Sequence, residues 1–348
     1  MKKTLLMLAL LGAATATYAQ SSLTLQGTVD VGLAYSKGSL TSRTGLLSGG
    51  NATSKLIFRG VEDLGGGMYA MFWLESGFNA DDGTGQPSNT NNQPTGATPA
   101  IGAMTFNRRS IVGLGGAWGE IHLGRDWSPS YETFISKYDP FALAVGLGIN
   151  YSGGINPNQI RASNAITYLT PKFFGGFGAN VQHWFGENVS GTPTSRNGTG
   201  SGVRLTYDNG PISAAASFLQ TSYATGDAIY RNIAGSYDFD VARVSFNVNN
   251  DRQGQLKQSG WLVGLTVPVG VTLLKASYST IKTEQTGEDP VGKKLALGAV
   301  YNLSKRTALY ATVATIRNSG GAKYATVGVT TAPNKSSSGI DLGMRHNF

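Results

Sequence analysis

The chain of 348 residues is 40% hydrophobic and only 14% charged, with a mean hydropathy of -0.12, which excludes a disordered chain and a bundle of membrane-spanning helices. The absence of cysteine excludes a disulfide framework or a thiolate metal site and suits an oxidising envelope compartment. The formal net charge is +8 and would be +6 without Lys2 and Lys3. This length suits two ordinary domains or one large β-barrel.

The first residues, "MKKTLLMLALLGAATATYAQ", have the three parts of a secretory signal peptide. A basic start precedes an apolar run from Leu5 to Leu11, and small residues follow up to Ala19. A transmembrane anchor is the alternative, but it requires about 20 apolar residues. We therefore predict a signal peptide at 1–19 and one mature domain at 20–348.

The next segment, "SSLTLQGTVDVGLAYS", alternates between two kinds of residue. Leu23, Leu25, Val29 and Leu33 fall on one parity, and mostly polar or small residues fall on the other. Because successive side chains of a strand point to opposite faces, this strand separates an apolar medium from an aqueous one. No later apolar run has the length of a membrane helix, so a membrane-embedded form must be a barrel.

The rest of the chain divides into strands by two kinds of connection. Short turn signals occur at 61–67, 115–120, 170–176, 207–211, 237–240, 267–270 and 302–306. Longer polar stretches lie near 36–50, 80–102, 126–160, 187–201, 222–228, 249–258, 283–293 and 317–337. These fifteen connections predict sixteen antiparallel strands with both termini on the short-turn side, the pattern of an outer-membrane barrel.

The last ten residues, "GIDLGMRHNF", repeat the alternation and end on Phe348. We expect this strand to close the barrel against the first one, with its aromatic end at the membrane rim. A soluble β-sandwich or β-solenoid is the alternative, but it requires neither this aromatic end nor aromatic residues at strand ends, where they would form girdles. The predicted girdle residues are Trp73, Tyr168, Trp184, Tyr207, Tyr237, Tyr301 and Tyr310.

Several segments together resemble the general trimeric porins of Gram-negative bacteria, in particular the beta-proteobacterial, anion-selective type. The most specific are "RGVEDLGGG", "GEIHLGRD" and "NLSKRTALY", and matching blocks span the mature chain. The resemblance implies an all-β, 16-stranded transmembrane barrel that assembles as a homotrimer, with the third long loop folded into the pore. It also implies that Phe348 is a signal read by the assembly machinery.

The third loop is predicted from Asp126 to Ile160. A loop of this length without periodicity is either functional or disordered. The sequence alone does not decide between them, but the resemblance and a high aromatic content favour a loop packed inside the barrel. Its candidate acidic residues are Asp126, Glu132 and Asp139.

Basic residues on the inward parity are the candidate pore constriction. In "SKLIFRG", Leu56 and Phe58 take the lipid parity, which turns Lys55 and Arg59 inward. In "FNRRSIVGL" the alternation turns Arg109 inward, whereas the resemblance places the first arginine of the pair at the constriction, and a bulge could switch the face. The full set of candidates is Lys55, Arg59, Arg108, Arg109, Arg125 and Arg161.

Such a basic wall concentrates anions in a narrow opening. The alternative is that these are ordinary lumen charges, paired with loop acids and without selectivity. The anion-selective porins that the chain resembles carry arginine where Lys55 stands. Lysine keeps the charge but loses the planar fork of donors, so we expect anion preference without tight binding of one anion.

Other functional classes find less support in the sequence. Its three histidines fall on separate predicted strands, and motifs for metal binding, nucleophilic catalysis or phosphate loops are absent. The basic residues are scattered and do not form the stripe typical of nucleic-acid binding. We predict a water-filled diffusion channel of the outer membrane that is not an enzyme and has no cofactor. Its predicted partners are two further copies of the same chain, outer-membrane lipid and lipopolysaccharide, and small anions. The alternative functions are a plugged structural or adhesive barrel and an outer-membrane hydrolase.

Overall fold

The structure is a computed structural model that describes residues 22–94, 97–98, 104–141, 147, 155–284, 287 and 289–348. The predicted signal peptide at 1–19 lies outside the described residues.

Sixteen antiparallel strands of the described chain form one closed barrel, as predicted. Each strand pairs with its neighbours in the sequence, and the last pairs with the first from Thr28 opposite Asn347 to Lys37 opposite Ser338. The strands are β1 (Ser22–Lys37), β2 (two segments, Ser42–Ser48 and Lys55–Gly65), β3 (Met68–Gly77), β4 (Arg109–Gly116), β5 (Gly119–Trp127), β6 (Arg161–Leu169), β7 (Phe177–Trp184), β8 (Gly200–Asn209), β9 (Ile212–Thr221), β10 (Ala228–Asp238), β11 (Arg243–Gln253), β12 (Leu256–Val269), β13 (Thr272–Glu284), β14 (Val291–Asn302), β15 (Thr307–Ser319) and β16 (Ser337–Asn347).

The two segments of β2 pair with one strand, β1, and enclose an insertion at 49–54. Asp30 of β1 holds this insertion: its Oδ2 accepts the N–H groups of Asn51 at 3.1 Å and Ala52 at 2.7 Å. Its Oδ1 accepts the hydroxyl of Tyr310 at 2.6 Å. One buried carboxylate therefore satisfies the backbone groups that the break in the ladder leaves free.

Two long loops predicted from polar composition are short in the structure. The stretch 36–50 contains a connection at 38–41 and the first segment of β2, and 249–258 contains only a two-residue connection at 254–255. Here the strands continue with polar residues on the outward parity as well, as at Asn250 and Arg252, so the alternation of apolar and polar residues is lost although the pairing of strands continues. The number of connections remains fifteen in the barrel.

Side chains alternate between the two faces as the sequence predicted. Along β16, Ile340, Leu342 and Met344 are exposed on the outside, while Asp341 is buried inside. An apolar outer face of this kind is stable when it contacts lipid. Among the predicted girdle residues, Tyr168, Tyr237 and Tyr301 are exposed on the outer face.

Three of the predicted girdle residues face inward instead. Trp184 is fully buried in an interior cluster, and Tyr310 is bound to Asp30. Trp73 lies between two arginines inside the barrel. Large aromatic side chains therefore also fill interior space, where they support the third loop and the charged residues.

The third loop folds into the barrel, in agreement with the prediction. The described part of the loop contains a short π-helical turn, Glu132–Ser136, and the Tyr138 hydroxyl lies 2.8 Å from Ser213 Oγ on β9. Farther along the loop, interior glycines leave room for it: a Cβ atom on Gly264 would lie 2.5 Å from Pro140 Cδ. In the same way, a Cβ atom on Gly298 would lie 2.8 Å from the ring of Phe141. The part of the chain that the structure describes has no helix long and apolar enough to cross a membrane.

Candidate pore constriction

Glu75 is the acidic centre of a basic group on the inner wall. Its Oε1 lies 2.5 Å from Arg108 Nε and 3.9 Å from Lys55 Nζ, and its carboxylate is fully buried. Arg161 lies within electrostatic range of Glu75, Lys55 and Arg108. Two cationic side chains thus bind one carboxylate and a third lies within electrostatic range of it, which leaves this part of the wall positive.

Strand register places these residues together. Glu75 takes the inward parity of β3 with Met71 and Trp73, and the ladder sets Glu75 opposite Arg109 of β4. Arg108 precedes the first residue of β4, so the alternation of the strand does not fix its side chain. Its N–H donates to the carbonyl of Glu75 at 3.1 Å, which turns the guanidinium toward the carboxylate.

Arg109 also faces inward, so both members of the arginine pair lie on the inner face. Its guanidinium centre lies 4.9 Å from the ring of Trp73 and 4.6 Å from the ring of Trp127. Its Nε lies 2.7 Å from Asp126 Oδ1, and both side chains are more than nine-tenths buried. The charge of Arg109 is therefore compensated by a carboxylate, in contrast to the basic group around Glu75.

His122 extends this network along β5. Its Nδ1 lies 2.9 Å from Asp126 Oδ2, and its Nε2 lies 2.9 Å from Glu120 Oε2. Tyr69 donates its hydroxyl to Glu120 Oε1 at 2.7 Å. Because both ring nitrogens face carboxylate oxygens, both are satisfied only when the ring is the doubly protonated imidazolium.

The other two candidate cations have different surroundings. Arg125 donates through Nε to the Asn107 carbonyl at 2.6 Å and through Nη1 to Ser163 Oγ at 2.7 Å. It therefore ties the second loop to β6. Arg59 is exposed and lies over Trp73, with 5.3 Å from its guanidinium centre to the ring centroid.

The three candidate acids do not form one acidic face of the loop. Asp126 belongs to β5 and binds Arg109, so its predicted place in the loop was wrong. Glu132 Oε2 lies 2.5 Å from Arg204 Nη1 on β8. Asp139 accepts the N–H of Phe141 at 2.9 Å and lies within electrostatic range of Lys275 and Lys294.

An aromatic residue of the loop contacts the basic group directly. The ring centroid of Tyr131 lies 5.9 Å from the guanidinium centre of Arg161. Burial raises the pKa of the Tyr131 phenol, so the ring stays neutral beside the cation. A neutral aromatic face favours the charged guanidinium without cancelling its charge.

Phe348 lies where the first and last strands meet. Its N–H donates to the Gly27 carbonyl at 3.1 Å, and its own carbonyl accepts the Gly27 N–H at 3.0 Å. A Cβ atom on Gly27 would lie 2.5 Å from the Phe348 ring, so this glycine leaves room for the terminal aromatic. The barrel therefore closes on the last residue.

Sequence reasoning missed Glu75, His122 and Arg204. The inward parity of Glu75 is readable in "MYAMFWLESG", where it follows Met71 and Trp73 at intervals of two. The pairing of His122 with Asp126 could be suspected from their spacing on one strand. The partner of Glu132 could not be found, because Arg204 is 72 residues away in the sequence.

A closed barrel with an apolar outer face, a charged interior and a loop folded into its lumen defines a diffusion channel of the outer membrane. The model of the family described as Gram-negative porin matches residues 4–321. The chain is 37% identical, over 373 residues, to outer membrane porin protein 32 of Delftia acidovorans, and the match covers 100% of both chains. It therefore belongs to the Gram-negative porin family: it is an outer-membrane channel and not an enzyme.

Two solved structures give the structural comparison. An anion-selective porin from Comamonas acidovorans superposes with a TM-score of 0.81 at 33% identity, covering 94% of this chain and 100% of that one. A trimer form of OmpT, an outer membrane protein of Vibrio cholerae, superposes with a TM-score of 0.69 at 15% identity, covering 94% and 99%. The OmpT likeness shows the fold alone.

Proposed function

We propose that this porin favours small anions and that Lys55, Arg108 and Arg161 form its basic constriction. The observation that carries the proposal is that Lys55 and Arg108 form ion pairs with one carboxylate, Glu75, while Arg161 lies within electrostatic range of all three. The likeness to the anion-selective porin of Comamonas acidovorans supports it. Arg59, Arg109 and Arg125 belong to the same inner wall, but Arg109 is compensated by Asp126 and Arg125 is bound to the second loop.

Coulomb's law gives the size of the effect. Two unit charges about 4 Å apart interact by roughly 4 kcal/mol at an effective dielectric constant of 20 and by about 1 kcal/mol in water. A surplus of positive charge therefore changes the partitioning of anions and cations several-fold. Salt weakens the effect, because the Debye length falls from about 10 Å at 0.1 M to about 3 Å at 1 M.

Lys55 sets the expected kind of selectivity. Its ammonium group lies 3.9 Å from Glu75 and its side chain is 22% exposed, so it offers a single mobile charge. Arginine would offer a planar fork that binds a carboxylate or phosphate through two bonds. Because residue 55 is lysine and not arginine, we expect the channel to transport many small anions without binding one of them tightly.

The channel assembles as a homotrimer in contact with outer-membrane lipid and lipopolysaccharide. The trimer form of OmpT supports this assembly through the shared fold. The outer faces of β1 and β16 meet at the barrel seam and carry exposed apolar side chains, among them Leu25, Leu33 and Leu342. An unheated sample that migrates as a monomer in mild detergent would contradict the trimer.

The reversal potential of the purified channel in a planar bilayer under a KCl gradient tests the anion preference. We expect chloride preference that is strongest at low salt and declines toward 1 M. A preference for potassium at every concentration would mean that the acidic residues dominate the lumen. An absence of regular conductance steps would instead indicate a plugged barrel.

A further inference from the structure

Two basic residues form a like-charged pair on the lipid-facing side of the barrel. Lys293 of β14 stands directly opposite Arg317 of β15 in the ladder, and both side chains are exposed. They share the outward parity with Leu295, Leu297 and Val313. In the described part of the chain, neither cation takes part in an ion pair or hydrogen bond.

The pair lies just beyond the apolar band, at the rim of the long loops. Tyr278, whose ring centroid is 5.6 Å from that of Trp261, stands opposite Leu295. Lys293 follows one pleat farther toward the rim, about 7 Å along the strand. In outer-membrane barrels the long loops are extracellular, so the pair lies at the depth of the outer-leaflet headgroups.

A concave surface accompanies the two charges. The pocket at the pair has a volume of about 440 Å³. That pocket is lined by Tyr278, Lys293, Leu295, Thr315, Arg317, Asn318 and Ser319. The two cations and Ser319 line its rim side, and Tyr278, Leu295 and Thr315 lie one pleat nearer the bilayer. The pocket therefore offers a site for an anionic headgroup above a site for an acyl chain.

Repulsion between the two charges favours binding of an anion between them. Like charges directly opposite each other on one face of a sheet destabilise the pair. A second such pair, Arg252 opposite Lys257, occurs at the same rim on β11 and β12, and both of its side chains are exposed. An external anion between the cations converts this repulsion into attraction, and the lipid-facing position selects a membrane lipid over a solute of the lumen.

We propose that Lys293 and Arg317 bind a phosphate group of lipopolysaccharide in the outer leaflet. The guanidinium can bind two phosphate oxygens, and the ammonium adds a third contact. The proposal rests on the lipopolysaccharide contact included in the proposed function and names its site. It does not depend on anion preference, because the pair lies outside the barrel wall.

The test compares binding of diphosphoryl lipid A and of its dephosphorylated form to the purified channel in nanodiscs. The variant is Lys293→Ala/Arg317→Ala, and the control is Lys305→Ala/Arg306→Ala, which removes the same two charges from an exposed turn at the opposite rim. A basic residue near an anionic lipid surface contributes about five-fold in affinity, so we expect roughly 25-fold weaker binding in the variant. The control should bind within two-fold of the unmodified channel.

Dephosphorylated lipid A should bind the unmodified channel as weakly as diphosphoryl lipid A binds the variant. Equal binding by variant and unmodified channel, or equal binding of both lipid forms, would overturn the proposal. Loss of binding in EDTA would mean a metal bridge in place of direct contact, and equal affinity for inorganic phosphate would mean a solute site. Conductance and reversal potential, measured on the same samples, should stay unchanged, which separates this test from that of the pore.

Discussion

Arg161 is the candidate pore cation whose removal tests the basic constriction most directly. In the described residues it has no ion pair, and its Nε is buried without a hydrogen-bond partner. Changing Arg161→Ser therefore removes one positive charge without leaving an acid unpaired. The removed charge belongs to the group around Glu75, together with Lys55 and Arg108.

The size of the effect on chloride partitioning depends on the distance between a passing anion and the Arg161 guanidinium. At about 6 Å from the guanidinium, the interaction is roughly 0.7 kcal/mol for the dielectric constant of water and about 2.8 kcal/mol for a value of 20. These energies correspond to a decrease of about three-fold to 100-fold in chloride partitioning at low salt. At 1 M KCl, where the Debye length is about 3 Å, we expect less than a two-fold change.

The assay is the reversal potential in KCl gradients at several mean concentrations. A suitable control is Arg231→Ser, because Arg231 is exposed on the outer face and lies 5.8 Å from the ring centroid of Phe218. This control removes the same charge without altering the lumen and should leave the reversal potential unchanged. The reasoning fails if Arg161→Ser keeps the original chloride preference at 0.1 M, or if Arg231→Ser shifts it equally.

Three further changes probe other parts of the chain. Arg109→Ser should lower chloride preference and heat stability together, because the buried Asp126 loses its guanidinium partner and keeps only His122 as an ion-pair partner in the described residues. Adding Asp126→Asn should restore most of the reversal potential; no restoration would show that the pair is not the relevant unit. Tyr310→Phe should reduce the free energy of unfolding, measured by urea titration, by about 1–3 kcal/mol, because it removes a hydroxyl bound to a buried carboxylate. The control Tyr301→Phe, at an exposed residue, should have no effect in the same titration. Phe348→Ser should reduce the amount of channel in the outer membrane far more than the heat stability of the fraction that assembles, and unchanged membrane levels would refute its role as an assembly signal.

Local patterns were sufficient to predict the barrel. Alternation in β1 and β16 identified the lipid face, and turn signals gave fifteen connections and hence sixteen strands. Loop lengths were less predictable, since some strands continue with polar residues on the outward parity and so lose the apolar alternation. The predicted loops at 36–50 and 249–258 fail for this reason.

The candidate constriction could be predicted only in part. Parity correctly turned Lys55 and Arg109 inward because both belong to regular strands. It could not place Arg108, which precedes β4 and is turned by its backbone bond to Glu75. Nor could it show that Arg109 is compensated, since Asp126 reaches it across the ladder between β4 and β5.

The sequence by itself determined the lipid-facing parity of the first and last strands, how many strands cross the membrane and which cations can face the lumen. Only the tertiary structure decided which of those cations keep an uncompensated charge. The physical reason is range: alternation is a property of neighbouring residues, whereas the field at a constriction depends on which strands are adjacent and where a loop packs. Glu75 and Arg161 are 86 residues apart in the sequence, and the successive pairing of β3, β4, β5 and β6 brings them within electrostatic reach of each other.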